Sequence, residues 1–90
     1  MNYQALGEFT AFSEQAKDAA DRRFALLHNL GSKLLQLSKS EKVIDFTEIE
    51  EQLAALRSND AQLYAAVERA NQAAALAVKT PLSLHALCNK

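Results

Sequence analysis

Residues 45–78, DFTEIEEQLAALRSNDAQLYAAVERANQAAALAV, decide the fold. Apolar side chains recur there at Ile49, Leu53, Leu56, Leu63, Val67, Ala70, Ala74 and Ala77, in steps of four and three. Only Asp60 interrupts the series. Such spacing places one stripe along a helix, and a heptad stripe has to lie against another helix. A polar residue inside a seam commonly fixes register at some cost in stability, which is the role the spacing gives Asp60.

The start of this helix is written in the residues before it. Asp45 as N-cap puts Glu48 at N3, a capping-box arrangement, with Ile44 and Ile49 as the flanking hydrophobic pair. Glu48, Glu50 and Glu51 then sit in the first turns, where the helix dipole favours negative charge. Ser58, Asn59 and Asp60 are poor helix-interior residues, because their side chains compete for backbone hydrogen bonds. The heptad nonetheless stays in phase across them, which favours one continuous helix.

Upstream, residues 2–38 read as the matching helix, and the polar run 38–44 as the turn between the two. Apolar positions are sparse at first (Phe9, Phe12, Ala16, Ala20) and crowd from Phe24 onward. At 100° per residue Phe24, Leu27, Leu34 and Leu35 share one face, with Leu26, Leu30 and Leu37 on its flank. Together they cover about half the circumference, wider than one helix-helix contact needs. Gly31 lies inside this segment at a cost of about 1 kcal/mol against alanine. Either it permits close helix approach, or the helix breaks there.

Thr80 and Pro81 stop the second helix near residue 79, because proline cannot continue it. The same pair suits a new start, Thr80 as N-cap and Pro81 at N1, with Leu84 and Leu87 packing over the bundle. With only two glycines and one proline in ninety residues, strands joined by tight turns are disfavoured. The expected fold is all-α: a long antiparallel helical hairpin, residues 2–38 and 45–79, in a single domain, followed over residues 80–90 by either a short C-terminal helix or a frayed tail.

A chain of this size buries about 60–65% of its unfolded surface, and an alanine-rich core adds little area per residue. The uncovered arc therefore implies a homodimer forming a four-helix bundle, or another protein as partner. The residues expected at that interface are Phe24, Leu26, Leu27, Leu30, Leu34, Leu37, Leu56, Asp60, Leu63 and Val67.

Chemistry-bearing clusters are scarce. His85 and Cys88 stand at i and i+3, but four-ligand sites need more, and His28 is the only other histidine or cysteine. The carboxylates Asp45, Glu48, Glu50 and Glu51 lack the Glu-x-x-His pairs of bundle metal sites and read as caps and solvated face. Arg22 and Arg23 sit beside Asp18 and Asp21, and the net charge is −1, so no basic field draws nucleic acid. Tyr3, Phe9 and Phe12, at the open end of the hairpin, read as core beneath the C-terminal segment, with a landing site for another protein as the alternative. The expectation is a non-enzymatic protein without cofactor or metal. One cysteine and no apolar run long enough to span a bilayer give a cytoplasmic expectation.

In architecture alone the outline is similar to Rop-type RNA-binding hairpin dimers and to the small helical chaperones of flagellar and type III export. That similarity implies, as alternatives to an adaptor or inhibitor, a chaperone for a partner's amphipathic helix or a nucleic-acid-binding dimer. It carries no residue roles.

Overall fold

The computed structural model describes residues 2–89 and contains three helices: α1 (Tyr3–Ser38), α2 (Thr47–Ala77) and α3 (Leu84–Cys88). Asn2 caps α1, its side chain accepting from the Ala5 N–H at 3.0 Å. α1 runs unbroken through Gly31, and α2 through Ser58, Asn59 and Asp60. α1 and α2 pack side by side as an antiparallel hairpin with a longest dimension of 62 Å.

The seam explains the pairing. On α1 its half-buried and buried positions are Ala5, Phe9, Phe12, Ala16, Ala19, Arg23, Leu26, Leu30, Lys33 and Leu37, an unbroken alternation of four and three. On α2 they are Ile49, Gln52, Leu56, Asn59, Leu63, Ala66, Ala70, Ala73 and Ala77, again in strict alternation. Two expectations are corrected here. Leu26, Leu30 and Leu37, placed on a flank by the apolar count, face α2. Phe24, Leu27, Leu34 and Leu35, read as the main face, stay outside. The small residues Ala5, Ala16 and Ala19 set the close helix approach at the open end. Their register, extended along α1, selects Leu26, Leu30 and Leu37.

The polar seam residue is also shifted, from Asp60 to Asn59. Asn59 is 6% exposed, donates to the Ala19 carbonyl at 2.9 Å and accepts from Arg22 Nε at 3.0 Å. Asp60 lies beside the seam, 3.3 Å from Arg23 Nε. These cross-hairpin partners occupy the side chains that would otherwise compete for backbone hydrogen bonds, so α2 does not break there.

Both ends of α2 differ from expectation by one or two residues. Asp45 is not the N-cap. That position is Phe46, and Asp45 Oδ1 instead accepts the Thr47 N–H at 3.0 Å, satisfying an otherwise orphaned donor from just outside the helix. Glu48 makes no reciprocal capping bond; it pairs with Lys33 at 2.8 Å. The helix stops at Ala77, before Thr80 and Pro81, because Val78 turns left-handed with φ 55°. A β-branched residue is strained there. The Lys79 N–H closes the end on the Ala74 carbonyl at 2.9 Å.

α3 begins later than Thr80 and Pro81 imply. Asn71 holds the connector, accepting the Leu82 N–H at 2.6 Å and donating to the Leu82 carbonyl at 3.4 Å. The chain is freed to coil only after that clamp, and Ser83 caps α3 through the Ala86 N–H at 3.3 Å. Leu87 is buried, with Leu82, Leu84 and Cys88 packed around it. Their floor is Ala16, Ala20, Leu63 and Val67. α3 therefore sits in the groove between α1 and α2, over the open half of the hairpin.

Candidate interaction surface

The two broad sides of the hairpin have different chemistry. One is polar. A shallow depression of about 350 Å³ is lined there by Gln15, Asp18, Arg22, Gln62 and Arg69. The Arg69 guanidinium lies 5.6 Å from the centre of the Phe12 ring, a cation–π contact. Phe9 and Phe12 are half-buried in the seam, and Tyr3 is exposed.

The opposite side carries α3, and its apolar groove does not end where α3 ends. Ala20, on the floor beneath α3, is followed at seven-residue steps by Leu27 and Leu34. Val67, also beneath α3, is preceded at the same step by Asp60 and Leu53. Seven residues return a helix close to the same face, so both stripes leave the cover of α3 and run on toward the turn. The exposures there are 72% for Phe24, 50% for Leu27, 47% for Leu34 and 47% for Leu53. Phe46, Ile44 and Val43 extend the exposed apolar surface around the turn.

Where the stripes emerge, an open cleft of about 680 Å³ lies between Phe24 and Leu27 on one side and Leu87, Cys88 and Asn89 on the other. Arg23 borders it, donating from Nη1 to Cys88 Sγ at 3.0 Å and pairing with Asp60. Its pKa is raised above the ordinary arginine value, chiefly by the bond to Cys88 and less by the charge of Asp60. Arg23 links all three helices at the point where cover ceases.

Of the ten expected interface residues, the structure leaves Phe24, Leu27 and Leu34 on this open face. Leu30, Leu63 and Val67 are buried within one chain, so their surface is already spent in the seam and beneath α3. Leu26, Leu37 and Leu56 are half-buried along the seam, and Asp60 is tied to Arg23. Leu53 belongs to the open face but was not among the ten, whereas Leu35 is exposed on the side of α1 that faces away from α2. Leu53 was read as seam, since positions three and four residues apart both border a stripe. Gln52 takes the seam position instead.

Among the described residues no group of three or more histidine, cysteine, aspartate or glutamate side chains converges to hold a metal. Nor is any helix among them long and apolar enough to cross a membrane. Comparison with protein-family models, with curated proteins and with solved structures finds no match.

Proposed function

We propose that this chain is a non-enzymatic interaction module whose working surface is the uncovered apolar groove in the turn half of the hairpin. The observation that carries this reading is the exposure of Phe24, Leu27 and Leu34 on α1 and of Leu53 on α2, along the two banks of one groove. Apolar patches of this kind, rimmed by polar residues, mark sites where proteins meet. On the opposite side the depression is lined chiefly by charged and amide side chains.

The adaptor or inhibitor reading and the chaperone reading both use this face. They differ in what covers it. A nucleic-acid reading draws less support, because Arg22 is engaged with Asn59 and Arg23 with Asp60 and Cys88.

The test is a comparison of complexes formed by the full chain in its host. Leu34→Glu and Leu53→Glu should each abolish a complex that survives size-exclusion chromatography, while Arg69→Glu on the polar side leaves it intact. Equal complex formation by all three variants would overturn the proposal.

A further inference from the structure

From the way α3 is held we infer that it is a hinged strap: residues 79–89 swing off the hairpin about Val78 as one unit, while α1 and α2 stay paired. The inference goes beyond the proposed interaction surface and stands whatever meets that surface. α3 has five residues, too few for a helix to persist in water without packing. Its order therefore comes from its seat. Leu87 lies on the floor of Ala16, Ala20, Leu63 and Val67, with hydrogen bonds between Asn71 and Leu82 and from Arg23 to Cys88. The α1–α2 seam runs well past this seat in both directions, so the pairing of the hairpin does not depend on α3.

Val78 is the hinge. Its left-handed φ of 55° is strained for a β-branched residue, and such a conformation persists only where the surrounding structure imposes it. Packing of its own side chain imposes nothing, because Val78 is 91% exposed. The constraint comes along the chain, from α2 before it and from the Asn71–Leu82 clamp after it. Only Lys79, Thr80 and Pro81 lie between, all of them exposed. Once the clamp lets go, Val78 can return to extended backbone, so the closed strap carries strain that the open one sheds. Pro81 keeps the released connector from coiling onto the end of α2, which makes the motion a swing.

The latch is built to release without stranding a charge. Arg23 keeps Asp60 at 3.3 Å when Cys88 leaves, and the half-buried Asn71 side chain is left to water. Opening uncovers Ala16, Ala20, Leu63 and Val67, the floor from which the Leu27–Leu34 and Asp60–Leu53 stripes continue. With the strap closed, the exposed groove is confined to the turn half of the hairpin. With it open, the same groove runs into the open half as well. α3 is thus an autoinhibitory contact, covering with its own leucines the apolar floor that would otherwise extend the exposed surface.

The experiment follows amide hydrogen exchange in the full chain by NMR at several urea concentrations below the unfolding transition. The Leu87 N–H, bonded to the Ser83 carbonyl at 3.0 Å, opens with the strap, whereas the Leu63 N–H inside α2 opens only with the hairpin. Leu87 should be protected at least tenfold over an unstructured peptide, yet exchange at least a hundredfold faster than Leu63. Its rate should hardly change with urea while that of Leu63 climbs, because strap opening exposes little surface. Val78→Asn tolerates the left-handed region without the added freedom of glycine, and should slow Leu87 at least threefold. Asn71→Ala should speed it at least tenfold. Three results would overturn the inference. Leu87 following Leu63 with the same urea slope makes α3 part of one cooperative unit with the hairpin. Leu87 without protection means that α3 is not docked. A Leu87 rate indifferent to Val78→Asn removes the hinge and leaves a terminus that merely frays.

Discussion

Asn59→Ala tests the seam register, on which the position of every exposed residue depends. Asn59 is the polar side chain most deeply buried between α1 and α2, and its amide donates to the Ala19 carbonyl. Ala19 lies inside α1, so its carbonyl keeps its own helical bond when the amide is removed, and no acceptor is orphaned. The loss is then one buried hydrogen bond, about 1 kcal/mol, plus a fraction of that for the bond from the exposed Arg22. The higher helix propensity of alanine returns about 0.6 kcal/mol. The small gap left opposite Ala19 adds a further few tenths. The net expectation is a destabilisation of about 1 kcal/mol, or roughly 4–8 °C in melting temperature for a domain of this size. Asn59→Asp is the sharper partner variant. It keeps the shape but turns a donor into an anion facing a carbonyl oxygen; the ion pair gained with Arg22 offsets part of this, leaving a cost of about 1–2 kcal/mol. Both are read by thermal and urea melts followed by circular dichroism, with the urea slope checking that the folded state is unchanged. If Asn59→Asp matches the wild type, or Asn59→Ala is more stable, Asn59 is not in the seam and the register is wrong.

Val78→Gly relieves a left-handed β-branched residue and should raise the melting temperature by a few degrees. The relief of about 1–2 kcal/mol exceeds the entropic cost of glycine, and a lower melting point would refute that. Asn71→Ala removes the clamp on Leu82 and should speed hydrogen exchange at the amides of Ala86 and Leu87 well before it affects α1. Unchanged exchange would mean that apolar packing alone seats α3. The Asp45 carboxyl is held below its ordinary pKa, first by the Thr47 N–H, then by the Thr47 hydroxyl and the charge of Lys33. A depressed folded value stabilises above the unfolded pKa near 3.8 and is lost as pH falls through the folded value. Asp45→Asn should therefore flatten the acid limb of a stability–pH profile below about pH 5, while an identical limb in the variant would exclude Asp45 as a source.

The hairpin was legible because periodicity and punctuation agree: few glycines, one polar turn, and two stretches of matching length. Its register was harder to read. Seam positions on α1 include Arg23 and Lys33, which an apolar count discards, and Asn59 competes with its neighbour Asp60 for the same place. The outcome turns on which long-range partners exist. Asn59 finds the Ala19 carbonyl and Asp60 finds Arg23, pairings 40 and 37 residues apart in sequence that no local pattern encodes. The position of α3 was hidden for a similar reason, since Asn71 reaches eleven residues onward to hold Leu82. The over-wide arc after Phe24 did signal a surface needing cover. Which part of the arc stays open follows from the register, and so only Phe24, Leu27 and Leu34 of the expected residues lie on it.

The most direct measurement places a photo-crosslinking amino acid at position 34 or 53, and for comparison at position 69, in the full chain within its host. A discrete adduct with another polypeptide is expected from positions 34 and 53 and none from position 69. Adducts from position 69 alone, or adducts of the chain with itself from positions 34 and 53, would contradict the proposed interaction surface.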